Sequence, residues 1–262
     1  MKQRIITGLI GGAGFLLMVY LGDAWFSLLV FALAVIGLFE FLRMAKVQPL
    51  SAAGVVGYLL MISLLWPTLS FGGSGTIAMP DFLLPATLLL LVYAVFRKNQ
   101  FHIEHAALTL VGALYIGYGF AFMAALRNVP DTGFMMTVLV IIGIWTTDSG
   151  AYFVGKAIGK RKLWPAISPN KTIEGSVGGL LAAVAVVLAV NAWIGNIPVE
   201  KALMIALVTG IAGQLGDLIE SAIKRHFGVK DSGRIFPGHG GVLDRFDSMI
   251  LVFPILHLLG MV

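Results

Sequence analysis

The chain has 262 residues, of which 58% are hydrophobic and 12% charged, with a formal net charge of +5 and no cysteine. A soluble domain carries about 25% charged and 45–50% apolar residues, so this balance belongs to a polytopic membrane protein solvated partly by lipid. The absence of cysteine excludes disulfides, thiolate metal sites and thiol catalysis.

The opening Met1-Lys-Gln-Arg4 and the apolar run behind it resemble a secretory signal. No A-x-A cleavage site follows and further apolar runs come at once, so an uncleaved first membrane helix is expected. In chain order, spans able to cross a ~30 Å hydrocarbon core are expected at 5–21, 24–42, 52–69, 82–96, 106–126, 133–158, 173–194, 199–227 and 246–261. The fourth is short and contains Pro85. None of these runs alternates apolar and polar residues as a barrel strand would. The expected fold class is therefore all-α, a helical integral membrane protein with about nine transmembrane helices.

Loop charge sets the orientation. With the N-terminus inside, all of the 18 Lys and Arg residues except Arg127 and Lys201 fall on one side, as the positive-inside rule requires. The N-terminus is expected to be cytoplasmic and the C-terminus outside. Phe71-Gly-Gly-Ser-Gly-Thr76 reads as a polar outer connector. Two inner segments, 159–172 and 228–243, exceed a tight turn, are basic and contain Gly or Pro. Residues 1–128 are accordingly expected to form a lipid-facing scaffold, and 129–262 to carry a site at the cytoplasmic face. Gly8-Leu-Ile-Gly-Gly12 and Gly175-Ser-Val-Gly-Gly179 allow close helix approach. Packing within the chain is the expected use, with a homodimer contact as the alternative.

The stretch from Asp217 to Asp247 concentrates the charge. On one face of a helix, Asp217, Ser221 and Lys224 lie within about 60° of each other, with Glu220 at the edge. Glu220 and Lys224 have the order of an i, i+4 ion pair. Asp217 lies a turn deeper, where an unpaired charge is costly, and so points to function. Asp244 and Asp247 share a face at the start of the last span, with Arg245 between them. Carboxylates there suit the helix dipole, but two on one face also suit magnesium, which takes one or two carboxylates and completes its shell with phosphates and waters. Phe236-Pro-Gly-His239-Gly240-Gly241 can turn sharply and offer backbone N–H groups to an anion. Lys224, Arg225, Lys230, Arg234 and Arg245 around it favour a phosphorylated ligand. For His239 a structural hydrogen bond and a ligand contact stay open.

A second cluster combines Asp148, deep in an apolar run, with Ser168-Pro-Asn-Lys171-Thr172-Ile-Glu174-Gly175. Asp148 needs a partner or an ion there. Ser168-Pro169 reads as a turn, and Lys171 and Glu174 have the spacing of an i, i+3 pair. Glu40 is expected to form a salt bridge with Arg43 and to take no part in catalysis.

The run Ser221-x-x-Lys224-Arg225-x(4)-Lys230-Asp231-x(5)-Pro237-x-His239-Gly240-Gly241-x-x-Asp244-Arg245-x-Asp247 resembles the signature of the CDP-diacylglycerol synthases, or phosphatidate cytidylyltransferases. Asp148-Ser-Gly-Ala-Tyr-Phe-x-Gly and Ser168-Pro-Asn-Lys171-Thr172-x-Glu174-Gly175 are similar to that family's two other recurrent stretches. One departure is Asn170, where a Lys is frequent. The resemblance implies that CTP and phosphatidic acid give CDP-diacylglycerol and pyrophosphate with Mg2+, and a second, monovalent or divalent, cation is a further expectation. By the same resemblance Asp217, Asp244 and Asp247 are metal ligands, joined by Asp148 and Asp231. Lys171, Lys224, Arg225, Lys230 and Arg245 serve the phosphates, with Glu174 beside Lys171, while Ser221 and His239-Gly240-Gly241 shape the pocket. No nucleic-acid partner is expected, and the setting is a prokaryotic-type inner or plasma membrane. A secondary transporter would instead show broken helices in both halves and inverted repeats, and a CTP-using lipid-alcohol kinase would need a similar nucleotide site.

Overall fold

A computed structural model describes residues 2–69, 81–98, 100–194 and 197–261; the connector expected at 71–76 lies outside them. Each expected span contains an α-helix. The helices are α1 (Lys2–Leu21), α2 (Asp23–Met44), α3 (Ala52–Leu65), α4 (Leu83–Phe96), α5 (Ile103–Arg127), α6 (Gly133–Ile158), α7 (Ile173–Ile194), α8 (Val199–His226) and α9 (Leu243–Leu258). Five of them (α2, α5, α6, α7 and α8) are long and apolar enough to cross a membrane. Large apolar side chains stay exposed on the outside of the helices, including Val95, Phe96, Leu181 and Trp193. Apolar surface on that scale is at home in lipid and unfavourable in water. The chain is a multi-pass helical membrane protein.

Local chemistry sets the helix ends. Gly22 and Asp23 both have positive φ, which breaks α1 from α2. The Ser51 hydroxyl oxygen accepts the Gly54 N–H at 3.2 Å and caps α3. The span expected to run unbroken over 52–69 changes at Trp66–Thr68 into a 3-10 turn, because Pro67 has no N–H to continue the α-helical ladder. Pro85 is tolerated in α4 because it falls in the first turn, where N–H groups lack helical partners anyway.

The chain forms two compact units, Met1–Ala125 with Phe227–Arg245, and Leu126–His226 with Phe246–Val262. In the first, Phe26, Phe41, Leu60, Met61, Leu64 and Phe120 are fully buried. In the second, α7 lies against α6 so closely that a Cβ at Gly175 would come within 2.6 Å of the Ala151 carbonyl oxygen, and one at Gly179 within 2.5 Å of that of Thr147. The Gly175–Gly179 stripe is thus used for packing within the chain.

The segment at 159–172 is not all loop. Strands β1 (Lys162–Trp164) and β2 (Ser168–Thr172) pair antiparallel, with Lys162 opposite Thr172 and Trp164 opposite Ser168. The turn falls at 165–167, so Ser168-Pro169 begins a strand and does not form the turn expected of it. A two-stranded hairpin has only edge strands, where proline costs no ladder bond.

Candidate active site

In the second unit the hairpin leads straight into α7. Thr172 caps it, its hydroxyl oxygen accepting the Gly175 N–H at 3.1 Å. Glu174, in the first turn of α7, turns back to the hairpin and accepts the N–H groups of Lys160 at 3.0 Å and Arg161 at 3.2 Å. The local pair suggested for Lys171 and Glu174 therefore gives way to longer-range contacts. Lys171 reaches α8, where its ammonium pairs with Asp217 Oδ2 and lies 3.5 Å from the Gln214 carbonyl oxygen.

Asp217 also accepts the Ser221 hydroxyl at 3.3 Å, one turn along α8. The expected Glu220–Lys224 pair is present at 2.5 Å with both side chains largely buried. Gln214 was not singled out by sequence. Its buried side chain donates to the carbonyls of Ser176 at 3.2 Å and Gly210 at 2.6 Å, fixing α7 on α8 beside Lys171. Only a glutamine among buried apolar residues hinted at this.

The first turns of α9 complete this group. A Cβ at Gly216 would meet the Asp247 carbonyl oxygen at 2.6 Å and Ser248 Cα at 2.9 Å, so glycine is what allows α8 and α9 to touch here. Asp247 accepts the Ser248 N–H at 2.7 Å. Its carboxylate is repelled by those of Asp217 and Asp148 and attracted by Lys224. Asp148, expected deep in an apolar helix, is exposed on α6, since its face of the helix is left open. Two carboxylates of like charge thus act on Asp247, with Lys224 as its neighbouring cation and Lys171 paired to Asp217. Among the described residues, no three His, Asp or Glu side chains stand ready around one metal position.

The first unit holds a different arrangement. Residues 227–242 lead from α8 into α9, with the Phe236 N–H bonded to the Gly240 carbonyl at 3.0 Å and the His239 N–H to that of Phe236 at 2.9 Å. Gly240 takes φ +83°, a conformation that side chains rarely adopt. This turn borders a cavity of about 510 Å³ lined by Lys230, Asp231, Arg234, His239, Gly240 and Arg245 among others. Three cations against one carboxylate make it a basic pocket, and Lys230, Arg234 and Arg245 are three of the five cations that the sequence placed around this turn. The imidazole Nδ1 of His239 is buried with no hydrogen-bond partner among the described residues. Arg225 lies exposed at the end of α8.

Asp244 belongs to this unit and faces inward. Its Oδ2 accepts the N–H groups of Ser232 and Gly241 and the Ser232 hydroxyl, each at 2.8 Å. Of the turn at 236–241 expected to form an anion nest, only Gly241 turns its N–H on an anion, that of Asp244, while Glu40 takes the donors of Val242 and Leu243 just beyond it. Glu40 makes no bridge to Arg43. Its oxygens accept the N–H groups of Val242 at 3.0 Å and Leu243 at 3.1 Å and the Ser232 hydroxyl at 3.1 Å. Arg43 instead sits 5.7 Å from the centre of the Phe39 ring. Three directed donors in a buried setting outweigh one flexible surface cation.

A carboxylate cluster with neighbouring ammonium groups and a basic pocket beside a glycine turn are the equipment of a phosphate-handling transferase. The family profile described as Cytidylyltransferase family matches residues 2–262. A protein of Bacillus subtilis (strain 168) named phosphatidate cytidylyltransferase is 45% identical over 262 residues, covering 99% of this chain and 97% of its own. Proteins of the same name from Staphylococcus haemolyticus (strain JCSC1435) and Staphylococcus aureus (strain COL) are 40% identical over 260 residues, covering 99% of this chain and 98% of theirs. The chain belongs to the cytidylyltransferase family and is a nucleotidyltransferase.

Proposed function

We propose that the chain makes CDP-diacylglycerol and pyrophosphate from CTP and phosphatidate. The observation that carries this is the whole-length likeness to proteins named for that reaction; a basic pocket in one unit and a carboxylate cluster with neighbouring ammonium groups in the other supply the charge types it requires. The phosphate of phosphatidate is already largely dianionic near pH 7, its second pKa being about 6, so one of its oxygens can attack the α-phosphorus of CTP without a strong base. The new P–O bond forms as the bond to the β-phosphate oxygen breaks, and pyrophosphate carries away the electron pair. What the chain must supply is positioning and relief of negative charge. Lys230, Arg234 and Arg245 bind phosphate oxygens in the basic pocket, and His239 Nδ1 offers a further contact. Lys171 and Lys224 play the same part beside the carboxylates.

Asp217 and Asp247, with Asp148 near them, would hold Mg2+. The donor set fits: mutually repelling oxygens favour a divalent cation, and magnesium needs only one or two carboxylates when phosphates and waters fill the rest. When bound, it would polarise phosphoryl oxygens and steady the leaving group. Asp244 and Asp231 are the less favoured ligands, Asp244 because its Oδ2 already accepts three hydrogen bonds. Loop charge supports nine spans, a cytoplasmic N-terminus and a site at the cytoplasmic face, where a soluble nucleotide and a lipid can meet.

The decisive assay incubates detergent-purified protein with labelled CTP, phosphatidate and Mg2+. CDP-diacylglycerol that requires both substrates is expected; its absence, with ion-driven uptake in liposomes, would replace the enzyme by a transporter. Because the chain has no cysteine, a single cysteine placed at Arg161 or Lys230 gives a unique label. Labelling from the cytoplasmic side is expected, and labelling only from outside would reverse the topology.

A further inference from the structure

Glu40 lies on α2 and is only 5% exposed, yet its partners stand 192 to 203 residues further along the chain. It takes the N–H groups of Val242 and Leu243, and Asp244 takes that of Gly241. Three consecutive backbone donors at the start of α9 are thereby directed at two carboxylates of the chain itself. Such donors, with the helix N-terminus behind them, would otherwise suit a phosphate. The glycines on either side of the loop fit the same anion. A Cβ on Gly233 or on Gly241 would overlap the Glu40 carboxylate. Two glycines that look reserved for a ligand are thus needed by a glutamate on a distant helix.

We propose that Glu40 is a positioning residue for the transfer reaction, an internal anion seated where a phosphate would otherwise bind. It fixes residues 232–243 so that Lys230, Arg234, Arg245 and His239 line the basic pocket in their binding arrangement. Substrate phosphates then meet side-chain cations, because the nest is already filled. Glu40 acts through the loop and touches no substrate. The assignment rests on the cytidylyl-transfer reading above, but its structural half can be tested without it.

The test uses the full-length protein carrying Glu40→Gln, Glu40→Ala or, as a milder change, Ser232→Ala. Glutamine keeps the size but sets an amide N–H2 against backbone donors, so acceptors are lost. In both Glu40 variants kcat/KM should fall roughly 10²-fold, the loss expected for misplacing substrate-binding groups by about 1 Å. The fall should appear mainly as a higher KM. Amide exchange should quicken at 241–243 while other helices keep their protection. Formate fits the space left by Glu40→Ala and should restore both protection and turnover, whereas chloride at equal ionic strength should not. Ser232→Ala, which removes the hydroxyl shared by Glu40 and Asp244 but leaves the backbone donors, should show the same pattern more weakly. Near-normal kinetics and exchange in Glu40→Ala would overturn the proposal. So would loss of protection throughout the chain without a response to formate, which marks a role in folding alone. If the unaltered protein makes no CDP-diacylglycerol, the transfer reading fails, while exchange at 241–243 still decides whether Glu40 holds the loop.

Discussion

Asp244 and Asp247 stand one turn apart at the start of α9 and look interchangeable in sequence. Asp244 is buried in the first unit, and its Oδ2 is saturated by donors from its own loop. Asp247 belongs to the second unit, where it accepts one backbone N–H and is repelled by Asp217 and Asp148. The first arrangement is satisfied as it stands and holds a loop in shape. The second concentrates negative charge that a cation or a phosphate-bearing ligand complex would relieve. The difference teaches that a carboxylate's task follows from the donors around it, since hydrogen bonds spend its lone pairs on structure.

Asn substitutions at the two positions should separate these tasks. Asp247→Asn is expected to lower kcat by at least roughly 10³-fold, the effect of losing several kcal/mol of metal-assisted stabilisation. Its loop exchange at 232–243 should stay normal and its requirement for Mg2+ should rise. Asp244→Asn should also lose activity but with faster exchange at Ser232 and Gly241. Identical exchange patterns in the two variants would erase the distinction.

Stability offers the next largest effect. Glu220→Ala leaves the ammonium of Lys224 without its largely buried partner and should destabilise the protein by about 3–5 kcal/mol, read from denaturant unfolding in detergent. Replacing both residues by apolar ones should cost less than either single change. A double variant as unstable as the sum would show that the pair is not a unit.

Lys171→Met tests how far Asp217 depends on its neighbour. Turnover should drop roughly 10- to 100-fold, the range for a residue that supports a metal ligand. The Mg2+ concentration needed for half-maximal rate should fall, because a competing cation has been removed. An unchanged metal dependence would mean that Lys171 serves phosphates only. The smallest effect is expected for Glu174→Gln, which should quicken exchange at the Lys160 and Arg161 amides and change turnover only a few-fold. A loss as large as that of Asp247→Asn would move Glu174 into direct substrate contact.

Much of this was legible in the chain. The helices of the second unit start and end within a few residues of the expected spans up to α8, because hydropathy and caps act locally. Glu220 with Lys224 was readable because both lie on one helix at i, i+4. The Glu40–Arg43 expectation failed for the same reason turned around. Local spacing gave Arg43 as the nearest cation, but nothing in it reveals donors two hundred residues away. The hairpin at 162–172 was missed because proline and charge signal a turn, and only pairing between the two short segments makes them strands.

What the sequence by itself determined was a multi-pass helical protein with its charge gathered into a few stretches, and the family to which those stretches belong. Apolar length, side-chain periodicity and linear spacing are properties of the chain, and they survive without any knowledge of contacts. Only the tertiary structure decided which carboxylates accept the hydrogen bonds of their own loop and which lie among like charges. Hydrogen bonds act over about 3 Å in space irrespective of separation along the chain, so the pairing of Lys171 with Asp217, and of Glu40 with the loop before α9, had to await the fold.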